Sequence, residues 1–342
     1  MCEYRLRSCV WEITLECCFC CKYCGSRAGK ARENELSTAE CLAVAAELAE
    51  LGCKRVSMIG GEVFLRPDWA RIVEALTSRG VRVCIITNGF LFKRELIDEL
   101  KRVRIESVAV SVDGTERVHD RYRREGSFRS AMAAVDALAS GGIPVSIIST
   151  LHAENAPLLE EMYGVLKTKR IFAWQLQACS PMGSASESGL DHRFDPRAVI
   201  AFVERHSDAP FALGVADNIG YFTEGEGSLR GVRSGNAVFP GCGAGLSSIG
   251  IDSAGNVRGC ESMYDDAFIE GNLRLRTLKE IWEDENSFSY NRSFTPELLS
   301  GACRSCEFGK YCAGGCRSYN YFVNGGEGLY EATRCARNMP GG

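Results

Sequence analysis

The sequence predicts an α/β protein: a parallel sheet with crossover helices, followed by a small cysteine-rich module. Three observations carry this. Strand-like and helix-like segments alternate through the first 180 residues. The alternation then gives way to short segments rich in glycine, serine and cysteine. The chain has 342 residues, more than one hydrophobic core usually serves, so a domain with an appended module is expected.

The strand-like runs are VWEITL (10–15), KRVSMIG (54–60), VRVCIIT (81–87), SVAVSV (107–112), IPVSIIST (143–150) and FAWQLQA (172–178). Between them lie helical patterns at 37–52, 67–80, 92–103, 127–142 and 154–167. The first helix opens on Ser37 and Glu40, a capping-box pair, and closes on Gly52. The second has Pro67 near its start. Alternation of this kind predicts parallel strands with right-handed crossovers. Six units can form an open doubly wound sheet or a partly closed barrel, and periodicity does not choose between them. PMGSASESG (181–189) reads as a loop and DPRAVIAFVERH (195–206) as one more helix. Residues 207–240 read as a connection. SSIGID, SAGN and VRGC (247–260) read as a hairpin. The expected organisation is therefore 1–205, a bridge at 206–240, and a module at 241–342.

Composition narrows the function classes. Hydrophobic content of 45%, charged content of 25% and a formal net charge of −4 give no footprint for nucleic acid. No apolar run is long enough to span a bilayer, and MCEYRLRSCVWEITLE lacks the apolar core of a signal peptide. The expected location is the cytoplasm, with no membrane partner. There the 18 cysteines stay reduced, and clustered thiols point to metal.

Cys17, Cys21 and Cys24 stand as C-x3-C-x2-C just after the first strand. Three thiolates on one loop can hold three irons of a four-iron cluster and leave the fourth open for a small molecule. A zinc knuckle is the alternative, though a closed zinc site wants four ligands. Further along stand Gly60, Gly61 and Glu62 after the second strand, Thr87, Asn88 and Gly89 after the third, and Ser111 to Gly114 (SVDG) after the fourth. Each sits where parallel α/β folds place their sites. Glycines permit close backbone approach to a ligand, Glu62 can receive an ammonium group, and Ser111 and Asp113 can hold ribose hydroxyls.

Taken in order, WEITLECCFCCKYCGS, IGGEVFLRPDW, TNG, and SVDG followed by HDRYRREGSF closely resemble the radical S-adenosylmethionine (SAM) enzymes over roughly residues 10–180. The resemblance implies a partial (β/α)6 barrel. It also implies a SAM-binding [4Fe–4S] cluster on Cys17, Cys21 and Cys24, with Tyr23, Gly60, Gly61, Glu62, Thr87, Asn88, Ser111 and Asp113 around the cofactor. Reductive cleavage of SAM would release a 5′-deoxyadenosyl radical that abstracts hydrogen from substrate. Cys18 and Cys20 fall outside the ligand pattern. Arg123 and Arg129 are the candidates for the SAM carboxylate partner.

The order Cys242, Gly255, Cys260, then Cys303, Cys306, Cys312, Cys316 and Cys335 resembles the seven-cysteine SPASM extension of many radical SAM maturases, over roughly 241–336. GNLRLRTLKEIWED and CAGGCRSYNYFVNG fit the same extension. A structural zinc module is the alternative. The resemblance implies two auxiliary clusters and so three [4Fe–4S] clusters in all. Cys303, Cys306, Cys312 and Cys335 would complete one. Cys242, Cys260 and Cys316 would supply three ligands to the other. SGNAVFPGC (234–242) holds no eighth cysteine, which leaves an open iron or a ligand from elsewhere. Cys179, after the sixth strand, is the candidate for that ligand or for a hydrogen donor, against the simpler reading of a buried inert thiol.

Members with this extension mostly modify ribosomally made peptides (RiPP maturation). The expected activity is a peptide maturase forming a carbon–carbon or thioether crosslink, because an auxiliary cluster can accept the electron left when a substrate radical closes a bond. The alternatives are an epimerase, a sulfatase-type protein maturase, a haem-precursor-modifying enzyme, and a non-enzymatic iron–sulfur electron carrier. The expected partners are a precursor peptide and a flavodoxin- or ferredoxin-type electron donor. The short stretch before the first strand suggests that a leader would be held by the barrel–SPASM surface or by a separate leader-binding protein.

Overall fold

In a computed structural model, residues 4–223, 225–227, 229–230 and 239–339 are described. Residues 234–238 of the stretch SGNAVFPGC lie outside them. Ten strands form one sheet in the order β10-β9-β8-β1-β2-β3-β4-β5-β6-β7. They are β1 (Ser8–Glu12), β2 (Arg55–Ile59), β3 (Arg82–Thr87), β4 (Ser107–Ser111), β5 (Val145–Leu151), β6 (Ala173–Ala178), β7 (Ala212–Val215), β8 (Ser248–Ile251), β9 (Asn256–Arg258) and β10 (Gly271–Asn272).

All six expected strands are present and pair in parallel in sequence order. The first begins two residues earlier than its hydrophobic run, at Ser8, and ends at Glu12. Two more parallel strands flank the six. β7 pairs with β6 inside the stretch read as a connection. Its four residues, ALGV, are too short a run to stand out against the glycine and serine around them. β8 pairs in parallel with β1 and turns back into β9, the expected hairpin. The cysteine-rich region therefore enters the same sheet. Its remainder is built of short helices such as Gly301–Arg304, Gly309–Cys312 and Arg317–Val323. Of the other loops, PMGSASESG contains a one-turn helix, Ser184–Glu187.

Local signals explain the helices. Helix Thr38–Glu50 carries the reciprocal Ser37–Glu40 capping box, and Gly52 takes the positive φ that closes its C-terminal turn. Val56 and Met58 of β2, Val83 and Ile85 of β3, Val108 and Val110 of β4 and Val145 and Ile147 of β5 share one core with Leu48, Ile72, Leu76, Val135, Leu138 and Met162 of the helices. The alternate strand residues face the other way. Ser57, Ile59, Ile86, Ala109, Ser111, Ile148, Thr150, Gln175 and Gln177 line a single cavity instead. A doubly wound sheet would have helices and apolar residues on both faces. Here the helical core covers one face and the other encloses space, which makes the sheet a partial barrel.

Candidate active site

The cavity measures about 660 Å³ and is lined by six adjacent barrel strands and by the C-terminal region. Its mouth is organised by the cysteine loop. Residues 17–28 leave β1 and return through a bridge between Glu16 and Gly29. Cys17 N–H donates to the Gly29 carbonyl (2.9 Å) and Gly29 N–H to that of Leu15 (3.0 Å), closing the loop at its base. Cys17, Cys21 and Cys24 all line the cavity, whereas Cys18 and Cys20 do not. Backbone N–H groups donate to two of the three sulfurs: Phe19 to Cys17 (3.4 Å) and Ala28 to Cys24 (3.3 Å). Such bonds favour thiolate, the form that ligates metal. Among the described residues no three His, Cys, Asp or Glu side chains converge closely enough for a single ion. All described cysteines are free thiols. Three sulfur donors on one cavity-lining loop are the donor type that holds an iron–sulfur cluster.

Gly60 and Gly61 line the cavity beside this loop, and their close approach is to the chain itself. Gly61 N–H donates to the Thr14 carbonyl (2.8 Å) and Glu62 N–H to that of Glu16 (2.7 Å). A methyl group on Gly61 would stand 2.2 Å from the Glu16 carbonyl oxygen. The glycine pair lets β2's exit lie against the backbone that launches the cysteine loop.

Two residues expected at the cofactor stand behind the wall. Glu62 is 1% exposed and does not line the cavity. Its carboxylate accepts from the Thr87 hydroxyl (2.8 Å) and the Asn88 N–H (2.9 Å). It ties the β2 loop to the β3 loop, and burial pushes its pKa up to about 7 against those hydrogen bonds. Asp113 is likewise buried away from the cavity. It accepts from Tyr23 Oη (2.5 Å), the Thr150 N–H (2.5 Å) and Arg123. Burial would raise its pKa, but the Arg123 charge and these donors together hold it below the usual carboxylate range. Both carboxylates lock loops whose other members, Tyr23, Thr87, Asn88 and Ser111, line the cavity. The two candidate arginines separate cleanly. Arg123 is partly buried, its side chain 11% exposed, paired with Asp113 and at the cavity wall. Arg129 is on the surface, paired with Glu116.

The C-terminal thiols divide in the same way. Cys242, Cys260 and Cys316 line the cavity. Cys303, Cys306, Cys312 and Cys335 do not; Cys303, Cys312 and Cys335 pack in a separate core with Tyr221, Phe239, Leu299 and Ala332. Cys179 lies on the cavity wall, 1% exposed, its thiol pushed up to about 12 by burial.

Sequence reasoning missed the acidic wall where β1 meets the hairpin. Glu12, Glu261 and Tyr264 line the cavity there. Arg32 donates to Glu12, Ser253 and Tyr264. Glu261 is 6% exposed, and neither of its carboxylate oxygens has a hydrogen-bond partner among the described residues. Burial, and then the nearby Glu12 charge, raise its pKa well above the usual range. A charged residue closing the otherwise apolar strand VWE was the available signal for Glu12.

Comparison with known proteins agrees with this architecture. Residues 11–165 match the Radical SAM superfamily, and residues 242–307 match the SPASM iron–sulfur cluster-binding domain. The chain belongs to the radical SAM superfamily of enzymes and carries a C-terminal SPASM domain. These two domains imply SAM and iron–sulfur clusters as cofactors. The chain is 28% identical to the AdoMet-dependent heme synthase of Methanosarcina barkeri, over 92% of each. It is 29% identical to the mycofactocin maturase MftC of Mycobacterium tuberculosis, over 92% of this chain and 78% of that one. Its fold is similar to that of Streptococcus suis SuiB bound to S-adenosylmethionine, with TM-score 0.76 at 16% identity, covering 96% of this chain and 76% of that one. No helix among the described residues is long and apolar enough to cross a membrane.

Proposed function

We propose that this enzyme is a radical SAM/SPASM peptide maturase that crosslinks a ribosomally made precursor peptide. The observation that carries the reading is the shared cavity: Cys17, Cys21 and Cys24 line the same space of about 660 Å³ as Cys242, Cys260 and Cys316. Cys17, Cys21 and Cys24 hold the SAM-binding cluster. Cys242, Cys260 and Cys316 hold an auxiliary cluster toward the substrate, and Cys303, Cys306, Cys312 and Cys335 hold a third, remote from it. When bound and reduced, the first cluster with SAM supplies a 5′-deoxyadenosyl radical. The protein's own part is to bind, orient and exclude water. Arg123, the partly buried cation at the wall, receives the SAM carboxylate, and Ser111 with Thr150 offers hydroxyls to the ribose. The unpartnered carboxyl of Glu261 presents a polar anchor opposite the cysteine loop. Residues 1–205 act as the barrel, 206–240 as the bridge and 241–342 as the auxiliary-cluster domain. A flavodoxin- or ferredoxin-type protein in the cytoplasm supplies electrons, and a separate protein holds the leader.

The mycofactocin maturase relatives support a peptide substrate. The heme synthase relatives support a second reading, haem-precursor chemistry. Anaerobic co-expression with a short peptide encoded beside the gene separates the two. Loss of two hydrogens from the peptide supports a crosslink. An unchanged mass that gains one deuterium in heavy water supports epimerisation instead. An unmodified peptide, together with an altered absorption spectrum of an added iron porphyrin, supports the second reading.

A further inference from the structure

Arg317 follows Cys316 directly and is fully buried, at 0% exposure. Its guanidinium lies over the Phe294 ring (5.1 Å to the centroid) and the Tyr330 ring (4.5 Å). One nitrogen, Nη1, donates to the carbonyls of Ala313 (2.5 Å) and Leu329 (3.3 Å), with that of Gly315 at 3.5 Å. The other two, Nε and Nη2, have no hydrogen-bond partner among the described residues.

This is an expensive arrangement. A guanidinium is always charged and offers five N–H donors. Buried charges are ordinarily paired, and a buried donor left unmade costs about 1–3 kcal/mol. Here no carboxylate pairs with Arg317 among the described residues. Its surroundings are the thiols: it follows Cys316, its acceptor Ala313 follows Cys312, and the Phe294 and Tyr330 rings under its guanidinium pack against the core of Cys303, Cys312 and Cys335. Those thiols belong to both C-terminal sets. Cys242 and Cys316 face the cavity, whereas Cys303 and Cys312 sit in the remote core.

We infer that Arg317 is a positioning residue shared by the two auxiliary cluster sites, an unpaired buried charge set beside both, and that it holds the reduction potentials of both clusters up. The physics is general. Reduction adds negative charge to a cluster already bound by thiolates, and a buried cation with N–H donors stabilises the reduced form. The aromatic walls keep water from screening that charge. The inference rests on the proposed assignment of both cysteine sets to clusters, and its test must separate the two.

The test is a redox titration of the anaerobically reconstituted protein, followed by EPR, with iron and sulfide counted on the same samples. The cluster on Cys17, Cys21 and Cys24 serves as the internal reference. In Arg317→Gln, which removes the charge, both auxiliary couples are expected to become harder to reduce by about tenfold in the oxidised-to-reduced ratio, about 59 mV for a one-electron couple. The reference couple should not move. Arg317→Lys, which keeps the charge without the fork, should show a clearly smaller shift. Unmoved auxiliary potentials in Arg317→Gln with full iron content would overturn the inference and leave a packing role. Equal shifts in the Gln and Lys variants would also overturn it. If the Gln variant does not fold, Arg317→Lys decides by itself: potentials displaced by the full tenfold reject the charge argument, and smaller displacements uphold it. Failure of the cluster assignment looks different. Wild-type iron would then not fall in Cys242→Ala or Cys303→Ala, and there would be no auxiliary couple to titrate.

Discussion

The cysteine loop after β1 and the remote C-terminal set use the same side chain in contrasting settings. Cys17, Cys21 and Cys24 stand half-buried on a loop closed by the Glu16–Gly29 bridge, lining the cavity. Cys303, Cys312 and Cys335 are buried among Tyr221, Phe239, Leu299 and Ala332, with no wall on that cavity. The first setting leaves a ligand-bound group open to a second reactant. The second shields it from reactants and leaves electron exchange as its natural use. Open and closed sites differ by the count of thiols and by what the fold places in front of them.

The largest expected effect breaks the comparison if it fails. Cys17→Ala, Cys21→Ala or Cys24→Ala should abolish 5′-deoxyadenosine formation while the C-terminal iron is retained, measured by chromatography and iron counting. Turnover in any of the three at the wild-type level would sink the assignment. Cys303→Ala or Cys335→Ala should do the reverse, losing iron while SAM is still cleaved. The wall can be tested against the surface next. Arg123→Ala leaves Asp113 buried without its cation, so a loss of about 3–5 kcal/mol in chemical denaturation is expected, with weakened SAM binding.

Glu62 gives a pH signature. Its pKa is raised to about 7 in the fold by burial, from an ordinary 4.5. Its contribution is therefore fully present below the ordinary value and is lost as pH rises toward 7. Over that window the protein without SAM should lose about 3 kcal/mol from this group, on the scale of 1.36 kcal/mol per unit. The loss should vanish in Glu62→Gln, and a pH profile unchanged by the substitution would show that the carboxyl ionises normally. Arg129→Ala should be the quietest change. Its surface pair with Glu116 is worth at most about 1 kcal/mol, and SAM affinity should be unmoved, as calorimetry can check.

Much of this was legible beforehand for a physical reason: the signals are local. Capping boxes, strand runs and C-x3-C-x2-C spacing act within a few residues, so Ser37, Glu40 and the cysteine loop could be read directly. β7 was hidden because four residues carry little periodicity, and its place depends on β6 alongside it. For Glu62 and Asp113 the loops were legible and the hydrogen-bond partners were not. Their partners, Thr87, Asn88, Tyr23 and Arg123, are distant in sequence, and only packing turns a carboxylate toward them. Glu261 was missed for the same cause: its isolation in the cavity wall is a property of what surrounds it.

The sequence by itself determined the parallel α/β order, the two cysteine signatures and thereby the family. Periodicity left open whether the sheet curls around a cavity; the family resemblance implied a partial barrel, and the tertiary structure bears it out, because the curl turns on which face of every strand meets the helices. Tertiary structure alone decided which thiols share that cavity. Cys312 and Cys316 are four residues apart, yet only Cys316 lines the cavity, while Cys312 is buried inside the second core against which Cys316 packs. Spacing sets how far apart two sulfurs can be, and only the packed fold sets what each one meets.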